Sequence, residues 1–191
     1  MFTNFFANGQ RSIEAVPSIL VSVPSVFNSS IISSDVEINH FRGMGSVLKE
    51  QGYFTSFHHG ARTGSMGFDG FTKIAGFNRY YGMEDFIDST GSAYDGVWGI
   101  YDEPFFLDSE AKLNTFKEPF CSVIFSLSSH DPFTIPEDRK ELLSMYNDEP
   151  DAEKSIRYSD YCLKKFFEAA SAKSWFENTI FIITADHTFY T

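Results

Sequence analysis

The chain has 191 residues, with 15 Lys and Arg against 26 Asp and Glu, a formal charge of −11. That balance excludes a broad nucleic-acid grip, which needs basic patches to neutralise phosphates. A hydrophobic fraction of 42% excludes a chain too polar to bury a core. Two cysteines are too few for a disulfide scaffold or a four-thiolate metal site, and no apolar run reaches the roughly 18 residues of a membrane-spanning helix.

Met1-Phe-Thr-Asn-Phe-Phe6 has no basic n-region and no long apolar stretch, so it is not expected to be a signal peptide. Asn8-Gly9-Gln10-Arg11-Ser12 follows, with Gly9 suited to a tight turn. Ser12 then opens a short helix, either as its cap or as a hydroxyl held near backbone N–H groups that favour an anion. Pro17 makes any longer helix irregular. Asn28-Ser29-Ser30 matches the glycosylation pattern and is given no role.

Residues 43–51 are predicted to be a helix that Gly52 ends, and Tyr53–Phe57 a short strand followed by His58-His59-Gly60. From Gly64 to about Lys117 the chain is rich in Gly, Asp and aromatics, which predicts long loops with short helices. They either line a site or are a surface excursion held down by Phe and Tyr. Asp102-Glu103 is expected to be structural. Arg62, Arg79 and Arg157 are candidate anion contacts, Arg62 foremost because it lies just after His59-Gly60.

Phe120–Leu127 is a second predicted strand and leads into Ser128-Ser129-His130-Asp131-Pro132. A helix is predicted from about Asp151 to Ser171, with Ile156, Cys162, Leu163, Phe166 and Phe167 on its apolar face. The run Asn178-Thr-Ile-Phe-Ile-Ile-Thr184 is apolar and β-branched, and is expected to be a buried, parallel strand leading into Ala185-Asp186-His187. Helix then strand is half of an α/β unit, and in open α/β sheets ligands sit at the carboxyl ends of strands. Two strand ends carrying His130 and Asp186-His187 are consistent with one shared site, and His58-His59-Gly60 after the first strand repeats the pattern.

Asp186 offers a hard oxygen and neutral His187 a nitrogen, a set that suits Zn²⁺ or Mn²⁺, with Mg²⁺ if oxygen ligands dominate. The alternative is an Asp cap beside a surface histidine. His130 and His59 have the chemistry to donate to a phosphoryl or sulfuryl oxygen or to act as acid or base. Equally, each fits a partly buried ring bonded to backbone. Ser12 needs activation to be a nucleophile, which a metal supplies by orienting the hydroxyl and lowering its pKa.

Several of these segments, in order, resemble the lipoteichoic-acid-synthase-like branch of the sulfatase and alkaline-phosphatase superfamily. They are Asn8–Ser12, His58-His59-Gly60 with Gly64–Asp69, Ala75–Gly82, Gly99–Glu103, Ser129–Phe133, Arg157–Asp160 and Asn178–His187. The resemblance implies an α/β fold, a mixed sheet flanked by helices, and residues 1–191 as one partial catalytic domain. It places the metal-coordinated nucleophile at Ser12, metal ligands at Asp186 and His187, the histidine on the transferred group at His130, and a substrate-side histidine at His59, with Arg62 beside it.

It further implies a metal-dependent phosphoester transferase or hydrolase, using Mn²⁺ before Zn²⁺ or Mg²⁺. The substrate would be a phospholipid head group or envelope glycan, carrying phosphoglycerol, phosphoethanolamine or a similar group. The full-length protein would be membrane-anchored and act on the periplasmic or extracellular face of the bacterial cytoplasmic membrane. The sequence departs from the family pattern in three places. Serine stands where threonine is usual, Met66-Gly67-Phe68-Asp69 replaces an aromatic-plus-arginine substrate contact, and none of the eleven residues before Ser12 is Asp or Glu. The first central strand with its acidic ligand, and the part beyond the Asp-His pair, are therefore expected to be missing. On that basis these 191 residues are expected to be weakly active or inactive alone, and to self-associate through exposed sheet edges.

Two alternatives stay open. Sulfate-ester hydrolysis would need a formylglycine made within Cys/Ser-Xaa-Pro-Xaa-Arg, and Ser12 is followed by Ile-Glu-Ala-Val. A non-enzymatic binding domain would show no metal dependence.

Overall fold

A computed structural model describes residues 5–26, 29–32, 34, 41–86, 91–141, 143–146 and 148–188. Asn28 lies outside them. The described helices are α1 (Ser12–Val21), α2 (Met44–Glu50), α3 (Phe68–Ile74), α4 (Asp102–Leu113) and α5 (Asp151–Ala170). The strands are β1 (Phe54–His59), β2 (Arg79–Tyr81) and β3 (Phe120–Phe125), in an open sheet of order β2-β1-β3. The class is the expected one, a mixed sheet flanked by helices. No described helix is long and apolar enough to cross a membrane.

The chain forms two compact units, and β1 runs from the first into the second. The first comprises residues up to Ser56, Gly64–Tyr80 and the segment from Ile180; the second comprises Phe57–Thr63 and Tyr81–Thr179.

In the first unit α1 packs on α2 and α3. Ala15, Val16, Leu20, Ile32, Phe68, Phe71 and Ala75 fill its interior. Pro17 lies inside α1 and has no N–H to give the Ile13 carbonyl. The Ser30 hydroxyl donates to that carbonyl at 2.6 Å, so the helix continues through the proline. Gly76 has φ +90, and a Cβ there would lie 2.5 Å from Ser46 N, so only glycine lets α2 meet the end of α3. At the start of β1 the Asn78 side-chain oxygen accepts from Thr55 N and Oγ1, both at 3.0 Å. This satisfies a fully buried threonine.

The second unit is built on α4 against α5, with β3 alongside α4. Asp151 and Glu153 in the first turn of α5 complement the positive end of its dipole. The buried face of α5 is Ser155, Tyr158, Cys162, Phe166 and Ala170. Ile156, expected on that face, is 46% exposed. Tyr158 takes the buried position instead, within a T-shaped contact to Tyr101 at 6.4 Å. The abundant phenylalanines are spent here: Phe106 meets Phe166 at 5.9 Å, and Phe120 meets Phe116 at 5.9 Å and Trp175 at 5.8 Å. Such pairs add directional contact to the area they bury.

Three expectations are corrected. Residues 64–117 carry, beside their loops and the short α3, a strand, β2, and a helix of twelve residues, α4, longer than the short helices expected. His58 and His59 do not follow β1; they are its last two residues. Residues 178–184 form no strand: Phe176–Asn178 is a 3-10 turn, and Ile180, Ile182 and Ile183 are 89%, 84% and 67% exposed. β-branched composition favours an extended backbone, but a strand exists only when a neighbouring backbone completes its hydrogen bonds. None of β1 to β3 pairs with this segment.

Candidate active site

The site residues fall into two groups, one in each unit. In the first unit the chain enters α1 through Arg11, whose backbone is extended, and Ser12 is the first helical residue. The residue in the cap position, Arg11, makes no side-chain cap bond to the helix. The entry is held by Glu14, which accepts from Gln10 N at 3.0 Å and from Arg11 Nε at 3.0 Å. The Arg11 hydrogen bond is the main cause that holds the Glu14 carboxyl below its ordinary range, partly opposed by desolvation. With its carboxylate engaged in this way, Glu14 braces the turn before Ser12.

Ser12 is 4% exposed. Its Oγ donates to Asp186 Oδ2 at 2.6 Å, across 174 positions of sequence. The other Asp186 oxygen accepts from His187 N at 2.9 Å. His187 Nε2 lies 3.6 Å from Asp186 Oδ2, and its Nδ1 pairs with the Thr188 carbonyl at 2.8 Å. A carbonyl only accepts, so Nδ1 carries the proton and Nε2 keeps its lone pair in the neutral ring. A bond of this kind fixes the tautomer and the orientation of the ring, as it does in histidines that ligate metals.

Ser12 Oγ and His187 Nε2 thus converge on one carboxylate oxygen, Asp186 Oδ2. An oxygen, oxygen and nitrogen set fits a divalent cation such as Zn²⁺ or Mn²⁺ as a partial shell, to be completed by water or further oxygens. Among the described residues no group of three or more His, Cys, Asp or Glu is placed to hold a metal.

In the second unit His59 and His58 are each 1% exposed. Burial pushes the His59 pKa down to about 4, and its ring meets Phe125 edge-on at 5.3 Å. Burial, helped by the charge of Lys112, pushes His58 down to about 3, with its ring 4.7 Å from Tyr81. Both rings are neutral at pH 7. Arg62 is exposed, in a turn where Glu84 Oε2 accepts from Thr63 N at 2.9 Å and Thr63 Oγ1 at 2.8 Å. Arg157, another candidate anion contact, is engaged within the protein. It pairs with both oxygens of Glu149 at 2.7 Å and lies 4.0 Å over the Tyr146 ring.

His130 sits in a turn after β3, where its N donates to Leu127 O at 3.0 Å. Its Nδ1 pairs with Asp131 O at 2.8 Å, and its ring lies 4.5 Å from that of Trp98. The turn is anchored by Asp102, fully buried at the first residue of α4. Asp102 Oδ1 accepts from Leu127 N at 2.8 Å and Ser128 N at 2.9 Å, and Oδ2 from the Ser159 hydroxyl at 2.7 Å. Burial raises the Asp102 pKa, partly offset by these bonds. The structural role expected of Asp102 has its physical form here. The sequence reading missed Trp98, whose one signal was a lone tryptophan beside the Asp95-Gly96 turn.

The sulfatase family model matches residues 1–191. The lipoteichoic acid synthase-like YvgJ of Bacillus subtilis is 26% identical over 153 residues, which cover 78% of this chain and 24% of the relative. Phosphoglycerol transferase I of Citrobacter koseri is 25% identical over 150 residues, 75% of this chain and 20% of the relative. A crystal structure of an alkaline phosphatase superfamily protein from Vibrio parahaemolyticus superposes with a TM-score of 0.79 at 26% identity, covering 91% of this chain and 42% of that one. With a family model matched along its whole length, the chain belongs to the sulfatase family.

Proposed function

We propose that the full-length protein transfers or hydrolyses phosphoesters at the cell envelope with Ser12 as nucleophile, and that residues 1–191 are part of its catalytic domain. The observation that carries this reading is the 2.6 Å hydrogen bond from Ser12 Oγ to Asp186 Oδ2. It places a nearly buried hydroxyl against an acidic partner at the mouth of a Ser-Asp-His set. The relatives named a lipoteichoic acid synthase-like protein and a phosphoglycerol transferase favour phosphorus. The absent formylglycine motif disfavours sulfate. Phosphoglycerol or phosphoethanolamine on an envelope lipid or glycan is the substrate class, and the outer face of the cytoplasmic membrane the place.

Ser12, Asp186 and His187 would hold the divalent metal, Mn²⁺ before Zn²⁺ or Mg²⁺. When bound, the metal lowers the pKa of a coordinated hydroxyl and screens charge on a phosphoryl oxygen. The rest falls to the protein. Ser12 Oγ gives up its proton to solvent and bonds to phosphorus as the bond to the leaving oxygen breaks, and the leaving oxygen takes a proton from water. His130, once protonated on Nε2, and Arg62 offset negative charge on the equatorial oxygens. His59, held neutral by burial, contributes a polar wall and no positive charge. Water or an acceptor hydroxyl then displaces Ser12.

The test is manganese titration of the 191-residue chain beside Asp186→Ala, with a phosphodiester and an aryl sulfate offered to the loaded protein. One Mn²⁺ per chain, lost in the variant, and a phosphoryl adduct on Ser12 by mass spectrometry support the reading. Equal manganese binding in both proteins would falsify the metal assignment, and turnover of the sulfate alone would overturn the substrate class.

A further inference from the structure

We infer that Trp98 is a positioning residue for His130, holding its imidazole as the Nδ1–H tautomer so that Nε2 is left to take up a proton and, once protonated, to donate to the transferred group. The inference deepens the proposed function, since it rests on His130 meeting that group.

The Asp131 carbonyl receives two hydrogen bonds, from Trp98 Nε1 at 2.7 Å and from His130 Nδ1 at 2.8 Å. The two rings lie 4.5 Å apart at 59°. Because a carbonyl has only lone pairs to offer, the proton of the neutral imidazole must be on Nδ1. In water a free imidazole side chain prefers the proton on Nε2, so the tautomer is imposed by the surroundings. The indole imposes it twice, by pinning the acceptor oxygen and by packing against the ring that must face it.

Trp98 is itself held firmly enough to do this. Asp95 Oδ1 accepts from three successive amides, Val97 N and Trp98 N at 2.8 Å and Gly99 N at 3.0 Å. Asp95 N closes the turn on Gly99 O at 2.8 Å. Gly99 lies against the residue after β1: a Cβ there would be 2.2 Å from Gly60 O, and Ile100 N donates to that oxygen at 3.0 Å. The turn bearing Trp98 is thereby fixed to the strand end that carries His59. A core tryptophan would need none of this. Trp98 is half-buried, and its one polar atom is spent on the backbone beside His130.

The experiment is long-range ¹⁵N–¹H correlation spectroscopy of the full 191-residue chain, with the His130 signals assigned through His130→Gln. The expected wild-type result is a neutral His130 protonated predominantly on Nδ1. In Trp98→Phe, which keeps an aromatic ring and loses the N–H, the population shifts toward Nε2–H, and Asp95→Asn shifts it the same way by a smaller fraction. A wild-type ring protonated on Nε2, or a Trp98→Phe ring unchanged from wild type, overturns the inference. If Trp98→Phe does not fold, the wild-type spectrum and Asp95→Asn decide it. The readout needs no turnover. A locked ring whose loss in His130→Gln leaves phosphodiester cleavage unaffected overturns both His130's reaction role and the inference built on it. An unlocked ring overturns the inference and leaves the proposed function untouched.

Discussion

A serine hydroxyl with 4% exposure has two common fates, a bond to its own helix or a bond to a distant partner. Ser12 takes the second, and the partner is the acid of an Asp-His pair. Two outcomes follow at this scale. Ser12→Thr keeps the hydroxyl and restores the methyl that narrows its rotamers, so its rate of adduct formation is expected to equal or exceed that of wild type, whereas Ser12→Ala forms no adduct; intact-mass kinetics read both. Asp102→Ala leaves two buried amides and the Ser159 hydroxyl without their acceptor. Its expected cost is about 3 kcal/mol or more by denaturant titration, in line with leaving buried polar partners unpaired. A cost under about 1 kcal/mol would show that water replaces the carboxylate.

Between elements, packing and not composition decides which apolar residues matter. Phe106 on α4 is 6% exposed and packed on Phe166 of α5. Truncation to Ala is expected to cost about 3–5 kcal/mol, the range for emptying a buried aromatic site. Ile182 has a greater intrinsic strand preference than its surroundings use, being 84% exposed. Ile182→Thr is therefore expected to change stability by less than about 0.5 kcal/mol. The same urea experiment checks both. A large loss in Ile182→Thr would mean that residues 178–184 are buried against something in solution, as a parallel strand would be.

Acid sensitivity belongs to the whole molecule. His58 and His59 have pKa values near 3 and 4 when folded, against 6.5 as the ordinary value. Below about pH 6.5 the unfolded chain takes up protons that the folded chain refuses. Their contribution is full above that pH and is lost as pH falls toward 4, because the state binding more protons gains as pH drops. Urea midpoints are expected to decline steadily from pH 7 to pH 4, and to decline less in His58→Gln. A decline of equal slope in the variant would assign the acid sensitivity to other groups. Carboxylates such as Glu14, held below their ordinary range, act lower on the same scale.

Much of the architecture was legible from the chain alone. α5 was visible because a twenty-residue amphipathic stretch between Pro150 and Ser171 satisfies its own backbone, and β3 because an apolar run ends at a polar turn. Ser12, Asp186 and His187 drew notice through their motifs, and the structure adds what composition says nothing of, the 2.6 Å contact between Ser12 and Asp186, 174 residues apart. What the tertiary structure alone decided concerns pairing and burial. Whether Ile180 to Thr184 becomes a strand depends on a neighbouring backbone; whether His59 is charged depends on desolvation; whether Trp98 is core or support depends on where its N–H finds an acceptor. Helices carry their hydrogen bonds within themselves and so are written locally, whereas strands, buried charges and ring orientations take their energies from groups far away in sequence.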